Sequence, residues 1–410
     1  MTSDKRVKEK KHILFVGEEV TLAHIVRPLL LADSLDRSKY NISFASGHKY
    51  NSLLENCGLS NYFLHTIQSE VFLDRLSEGK PLYNFDELKK YVEFELSCIA
   101  KLSPDLIVGD FRISLGVTAD LLGIPYICLS NAHWSPYSVL PFPVPEHVML
   151  KIFGIGMVGR LLPKLLPLIF WHHARSFNAV RNFYGLPSVG NLKNVYTYGT
   201  WTLYTDIPSV SPTKNLPQNH SYIGPVIWSP DIAPPHWWSK LPEDKHLIYI
   251  TMGSSGDVRV LKKILEALKD TVYIGVVATA GRIKIEPSTN IFSADYLPGL
   301  DIVKKASLVL CNGGSATAYQ ALSQGVPVFG FPSNADQFYT MESIEKNGAG
   351  ILIRPGHASS TNILRAINSL IQDDGYKAVA QKLAEEIAHY IAPKIFRSFI
   401  DNWADGNLKQ

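Results

Sequence analysis

Aspartate and glutamate are absent from His147 to Thr205, although the chain as a whole lies near charge balance at +3. A balance that close to zero leaves no electrostatic footprint for nucleic acid. Asp-x-Asp does not occur, and the histidines show no metal-ligand spacing, so no metal site is expected. The four cysteines (Cys57, Cys98, Cys128 and Cys311) are scattered, without a Cys-x-x-Cys pair. Three of them sit in apolar runs, which suits buried reduced thiols and a reducing, cytoplasmic compartment. Uncharged apolar runs of about 18 residues are also missing, so no ordinary transmembrane helix is expected. Residues 1–10 form a charged leader, read as disordered, and the apolar run after it is too short for a secretory signal.

What is present points to two folded units. The chain has 410 residues, 46% of them hydrophobic and 19% charged. That is enough apolar material for two domains of about 150–200 residues, each with its own core. Short apolar runs alternate with helical patterns in the first half: His12–Gly17, then Thr21–Leu35 as helix, then Tyr40–Ala45, Leu106–Gly109 and Pro125–Ser130. The pattern restarts at His246–Thr251 and continues through Val272–Val277, Leu308–Cys311 and Val326–Phe331. Strands of this kind separated by helices imply βαβ units and parallel sheets. The fold class is therefore α/β, with two Rossmann-like doubly wound domains facing each other across a cleft. The expected boundaries are 11–224, a Pro- and Trp-rich linker at 225–244, and 245–385. A final helix within 386–410 is expected to pack back on the first domain.

The segment with the clearest chemistry begins at Leu308–Cys311. A buried strand runs into Asn312-Gly313-Gly314-Ser315-Ala316-Thr317 and then into a helix. Glycines let the backbone approach a ligand, and the free N–H groups and positive dipole end of a helix suit phosphate. The next strand ends at Pro332 and opens into Ser333-Asn-Ala-Asp336-Gln337. Its carboxylate and amide can hydrogen-bond vicinal hydroxyls. A plain turn and a helix cap would explain each segment separately. Together they offer a phosphate site and a polyol site on one sheet edge, which is what a nucleotide sugar requires.

These residues resemble family 1 glycosyltransferases, the UDP-glycosyltransferase type with the GT-B fold, of the bacterial macrolide and lipid kind. The resemblance covers nearly the whole chain and is tightest over 246–355. The donor signature His-x-Gly-x-x-Ser/Thr-x-x-Glu/Gln appears as Asn312 to Gln320, and Pro-x-x-x-Asp/Glu-Gln as Pro332 to Gln337. The turn Gly253-Ser254-Ser255 is similar to the family's first donor loop. Tyr296-Leu-Pro298-Gly299 is similar to its Trp-x-Pro-Gln. Two positions depart from the pattern: Asn312 replaces a His, removing a charge near the diphosphate, and Gly299 replaces a Gln near the nucleoside. The resemblance implies a hexose donor, glucose on UDP, that is a substrate; no cofactor is implied.

On the acceptor side, His24 in Ala23-His-Ile-Val-Arg-Pro28 is similar to the family's Gly-His-x-x-Pro, one residue longer. The resemblance implies that His24 is the general base, with Asp110 at the end of its strand as partner. As plain structure, His24 is a helix-face histidine and Asp110 a helix N-cap. His133 and Trp134 are expected to line the acceptor pocket. Attack opposite the nucleotide would invert the anomeric centre, and the diphosphate would be held by the helix N-terminus without a metal. Gly154-x-Gly156-x-x-Gly159 matches a dinucleotide fingerprint, but no acid follows until Asp206, so that reading fails.

The acid-free stretch carries six basic residues: Lys151, Arg160, Lys164, Arg175, Arg181 and Lys193. Basic residues beside Phe, Trp and aliphatic side chains suit an anionic membrane surface on the cytoplasmic side, and with it a hydrophobic or lipid-like acceptor. Pro163 and Pro167 are expected to break any spanning helix there. The same stretch would also serve as ordinary acceptor-domain core. Two other functions share the fold: a nucleotide-sugar epimerase, and a catalytically silent nucleotide-sugar-binding protein or partner subunit. Loss of the histidine at 312 favours the silent protein, and the paired His24 and Asp110 disfavour the epimerase.

Overall fold

The computed structural model describes residues 10–408 except 254, 255 and 287, and the side chains of 148, 149 and 151 are not discussed. The proposed leader thus lies outside the described residues except for Lys10. The first sheet contains β1 (Lys11–Gly17), β2 (Tyr40–Ser46), β3 (Asn61–Phe63), β4 (Leu106–Asp110), β5 (Tyr126–Ser130), β6 (Trp201–Tyr204) and β7 (His220–Tyr222). Their order is β3-β2-β1-β4-β5-β6-β7, and every pairing is parallel. The second sheet contains β8 (Leu247–Thr251), β9 (Ile274–Ala278), β10 (Ile291–Ala294), β11 (Leu308–Cys311), β12 (Val328–Gly330) and β13 (Gly350–Leu352). Its order is β10-β9-β8-β11-β12-β13, again all parallel.

Both sheets are covered on two faces, which is why their central strands are apolar runs and not alternating ones. Ile13, Leu14, Phe15 and Val16 are all fully buried. In each sheet the strand order reverses once, between β1 and β4 and between β8 and β11. Loops leave in opposite directions at such a point and open a crevice at the carboxyl ends of the strands. The registers level those ends: Gly17 pairs with Asp110, and Cys311 with Thr251.

The chain crosses between the domains twice. The segment between β7 and β8 is irregular apart from a short turn at Trp238–Lys240. It is packed, not loose: Trp237 is buried, and its indole N–H donates to the Ser293 carbonyl at 3.2 Å. The second crossing follows the helix Asp374–His389. It leads into the last helix, Ala392–Ala404, which lies against the first sheet. Phe396 meets Phe15 with ring centroids 5.9 Å apart, and Phe399 meets Trp201 at 5.8 Å. The two crossings touch at Gly224, where φ is +89° and a Cβ would stand 2.2 Å from the Tyr390 carbonyl oxygen.

The prolines at 163 and 167 do not break the helix there. Two helical segments meet at a kink at Gly154 (φ 70°, ψ 157°), and the second runs unbroken through both prolines to Phe183. Each proline removes one backbone bond, but the leucine pairs on either side favour the helix. Both prolines lie on its exposed side, where water can satisfy the freed carbonyls. By length and composition this is the one helix among the described residues that could cross a membrane.

Gly224→Ala is expected to lower unfolding stability by roughly 1–3 kcal/mol, the usual cost of an enforced strained backbone position. The urea midpoint measures it, and an unchanged midpoint would mean that the two crossings are not in contact.

Candidate functional site

β1 delivers the chain into the helix Ala23–Asp33, and β4 ends at Asp110 beside it. Asp110 has no exposed surface and does not cap the helix that follows. Its Oδ1 lies 2.8 Å from His24 Nδ1 and accepts from Arg27 Nη2 at 2.7 Å. Arg27 Nε sits 2.7 Å from Oδ2 but is not aligned as a hydrogen bond. His24 Nδ1 also lies 2.9 Å from Arg27 Nη2. In the tautomer with the proton on Nδ1 the imidazole donates to Asp110, which as a carboxylate can only accept, and Nε2 is the nitrogen left for a substrate. Burial pushes the Asp110 carboxyl upward. The Arg27 and His24 charges and hydrogen bonds outweigh that and hold it below the usual carboxylate value.

Phe111 follows directly and stacks on the His24 imidazole, with centroids 4.7 Å apart and planes 14° from parallel. Its φ is +55°, a left-handed conformation that is costly for an aromatic residue. Arg27 also reaches across the sheet edge, donating to Asn131 Oδ1 and Thr205 Oγ1, each at 3.0 Å. Asn131 donates in turn to buried Asp206 at 3.1 Å. The ends of β4, β5 and β6 are thereby tied to the helix that carries His24.

On the donor side, the helix Ser315–Leu322 starts from Gly314 with no side chain capping it. The Asn312 amide oxygen accepts from the Gly314 N–H at 3.2 Å, an Asx-type turn that shapes the loop. Gly313 is held at φ +83°, and a Cβ there would stand 2.7 Å from Met341 Cγ, so its role is backbone geometry behind the cavity wall. Gln320 donates to the Trp228 carbonyl at 3.0 Å. A Cβ on Gly299 would stand 2.7 Å from the Gln320 amide nitrogen, so the glycine makes room for this contact between the donor domain and the linker. Arg282 donates to the carbonyls of Gly253 and Gly256, at 3.3 and 2.7 Å, and brings a cation to the same loop.

Asp336 belongs to the first turn of the helix Ala335–Asn347, which Asn334 caps. It faces the other domain. His133 Nε2 and Trp134 Nε1 lie 2.8 and 3.0 Å from its Oδ1. Its side chain keeps 39% of its surface exposed. Burial alone would raise its pKa. The hydrogen bonds and charge of His133, the Trp134 bond and the charge of Arg27 outweigh this and bring it down to about 2. Gln337 lines the cavity, and its side-chain oxygen accepts from the N–H and hydroxyl of Ser333, at 2.9 and 3.0 Å.

One cavity of about 1260 Å³ takes in both halves. His24, Asp110 and Trp134 line it from the first domain. Asn312, Gly314, Ser315, Ala316, Thr317, Gln320, Asp336 and Gln337 line it from the second, with Gly253 and Tyr296. Three expected residues lie behind its wall. Gly313 sets the loop, Pro298 precedes the helix Gly299–Lys305, and His133 is buried under Asp336 and does not line an acceptor pocket. Ser254 and Ser255 fall outside the described residues. Arg27, Phe111, Asn131 and Arg282 also line the cavity without having been singled out in the sequence. Arg27 could have been, since it lies three residues after His24 and so on the same helix face. No group of three His, Cys, Asp or Glu side chains that could hold a metal occurs among the described residues.

Residues 266–396 match the family described as erythromycin biosynthesis protein CIII-like, C-terminal domain. The chain is 44% identical over 382 residues to a PGL/p-HBAD biosynthesis glycosyltransferase of Mycobacterium tuberculosis (strain ATCC 25618 / H37Rv), covering 92% of this chain and 89% of the relative. It is 44% identical over 379 residues to a PGL/p-HBAD biosynthesis rhamnosyltransferase of Mycobacterium bovis (strain BCG / Pasteur 1173P2), covering 92% and 84%. Among solved structures, a calicheamicin glycosyltransferase superposes with a TM-score of 0.73 at 16% identity, over 96% of this chain and 98% of that one. A spinosyn rhamnosyltransferase complexed with thymidine diphosphate superposes with a TM-score of 0.69 at 17% identity, over 95% and 100%.

The Asp336 pairing predicts a pH dependence. A carboxyl whose folded pKa is about 2, against an ordinary value of 3.8, adds stability above the unfolded pKa and loses it as pH falls toward 2. The native chain is therefore expected to lose more stability than Asp336→Asn between about pH 4 and pH 2. Urea midpoints across that window measure this, and parallel curves would mean that the pairing does not form in solution.

Proposed function

The chain belongs to the family of the PGL/p-HBAD biosynthesis glycosyltransferases and is a glycosyltransferase of the GT-B fold, and on that basis we propose that it transfers a hexose from a nucleoside diphosphate to a hydroxyl of a hydrophobic acceptor, inverting the anomeric centre. The observation that carries this is the single cavity in which the Asp110–His24 pair faces the open N-terminus of the helix Ser315–Leu322.

The acceptor hydroxyl gives its proton to His24 Nε2 as its oxygen attacks the anomeric carbon. The bond from that carbon to the diphosphate breaks, and the electron pair leaves with the diphosphate. Asp110 accepts the Nδ1–H hydrogen bond, fixes the tautomer and stabilises the imidazolium. The leaving diphosphate is received by the N–H groups at the start of that helix, with the Ser315 and Thr317 hydroxyls and the Arg282 cation beside them. Arg282 compensates for the uncharged Asn312. This route requires no bound metal.

The donor we infer is a 6-deoxyhexose of the rhamnose kind on thymidine diphosphate. Support comes from the relative named a rhamnosyltransferase and the structural neighbour complexed with thymidine diphosphate. These weigh more than the glucose on UDP suggested by Asp336-Gln337, because that pair is equally compatible with the vicinal hydroxyls of other hexoses. The hydrophobic acceptor is supported by apolar lining on the His24 side, including Phe72, Leu76, Val158 and Phe170. The four free cysteines support a reducing, cytoplasmic setting.

Thermal-shift ranking with dTDP, UDP and GDP tests the donor, since a ligand of the folded state raises apparent stability by mass action. dTDP is expected to shift the midpoint most, and a larger shift with UDP would restore the glucose reading. His24→Ala is expected to cut the transfer rate about 10²–10⁴-fold, the usual worth of a positioned base. The donor-induced thermal shift should persist in that variant. An unchanged rate would remove His24 as base.

A further inference from the structure

The helix that runs from the Gly154 kink to Phe183 has two different halves. From Phe170 onward it is anchored: Phe170, Ala174, Phe177, Val180 and Arg181 are buried. Before that, one side faces the cavity through Met157, Leu161, Leu165 and Ile169. The other side is turned to solvent, yet it is apolar. Leu168 and Trp171 are 62% and 54% exposed, and neither lines the cavity. An exposed apolar strip of that length on a folded chain marks a surface that something covers.

The chemistry of the strip names its occupant. Arg160, Lys164 and Arg175 are exposed along it. The Arg175 guanidinium sits 5.2 Å from the Trp171 ring centroid, a basic and aromatic pairing suited to a headgroup layer. No acid lies anywhere from 147 to 205 to repel an anionic surface. A crossing helix is ruled out by its ends, because both are held by one folded body. The Glu146 N–H donates to the Ser333 carbonyl at 2.9 Å, its carboxylate meets Arg354 at 2.7 Å, and the far end is buried in the first domain.

We propose that the face carrying Arg160, Lys164, Leu168, Trp171 and Arg175 docks on an anionic lipid bilayer, with the helix lying along the surface. Because the opposite side of the same helix lines the cavity, docking sets the cavity against the lipid. The docking does not depend on which sugar or acceptor the chain uses.

Co-sedimentation of the full chain with vesicles tests the proposal. Phosphatidylcholine vesicles containing phosphatidylglycerol are expected to pellet the protein, pure phosphatidylcholine far less, and high salt is expected to release it. Leu168→Ser with Trp171→Ser should abolish pelleting, and Arg160→Ala with Lys164→Ala should weaken it severalfold and flatten its salt dependence. An unchanged dTDP- or UDP-induced thermal shift in these variants shows that they are folded. Equal pelleting on neutral and anionic vesicles, or full pelleting of the Leu168/Trp171 variant, would overturn the proposal. So would a dimer in size-exclusion chromatography that this variant dissociates while no vesicle binding is seen, since the strip would then pair two copies of the chain.

Discussion

Asp110 is a carboxylate with no contact with water, and it must be matched by positive charge where it stands. Arg27 supplies that charge and His24 a hydrogen bond, from one turn of one helix, and the rest of the site inherits the arrangement. Arg27 reaches Asp110, Asn131 and Thr205 at once, so one guanidinium locks the helix to the ends of three strands. Asn131 is fixed in turn by Asp206, and the turn after it presents His133 and Trp134 to Asp336 in the other domain. A line of charged and hydrogen-bonded groups therefore runs from the proposed base to the proposed sugar site. Its cost is that Arg27 shares the Asp110 charge, which leaves less of it for an imidazolium at His24.

The same line joins the domains. His133 and Trp134 hold the Asp336 carboxylate from the acceptor side, while Arg354 binds Glu146 and the Val144 carbonyl from the donor side. Gln320 and Trp228 add a link through the linker. Trp134, Val144, Glu146, Trp228, Gln320 and Asp336 all line the cavity of about 1260 Å³. The two halves of the chemistry can be brought together without filling the space that two substrates need.

Much of this was legible in the sequence because burial leaves a simple signature. A strand covered on both faces has to be a short apolar run, and each run was visible, as was the glycine turn after Leu308–Cys311. His24 and Asp110 were legible because each follows such a run. What was not legible depends on partners distant in sequence. Gly299 read as a lost side chain, but it makes room for Gln320. Gln337 lines the cavity as expected, but the bonds of its oxygen to Ser333 in its own turn left no mark in the sequence. The left-handed Phe111 leaves no trace in composition, since only the neighbours that enforce it reveal it. The prolines at 163 and 167 misled because proline penalties are local, whereas the apolar flanks that outweigh them extend over several turns.

The last helix has a consequence for how the chain comes to be folded. Ala392, Phe396 and Ile400 complete the core of a sheet whose first strand begins at Lys11. During synthesis from the N-terminus, the first domain emerges long before the piece that closes it. Its apolar face beside Phe15 and Trp201 stays open until the second domain has been made and the chain has returned past Gly224. The domain that is translated first is therefore the one that is finished last.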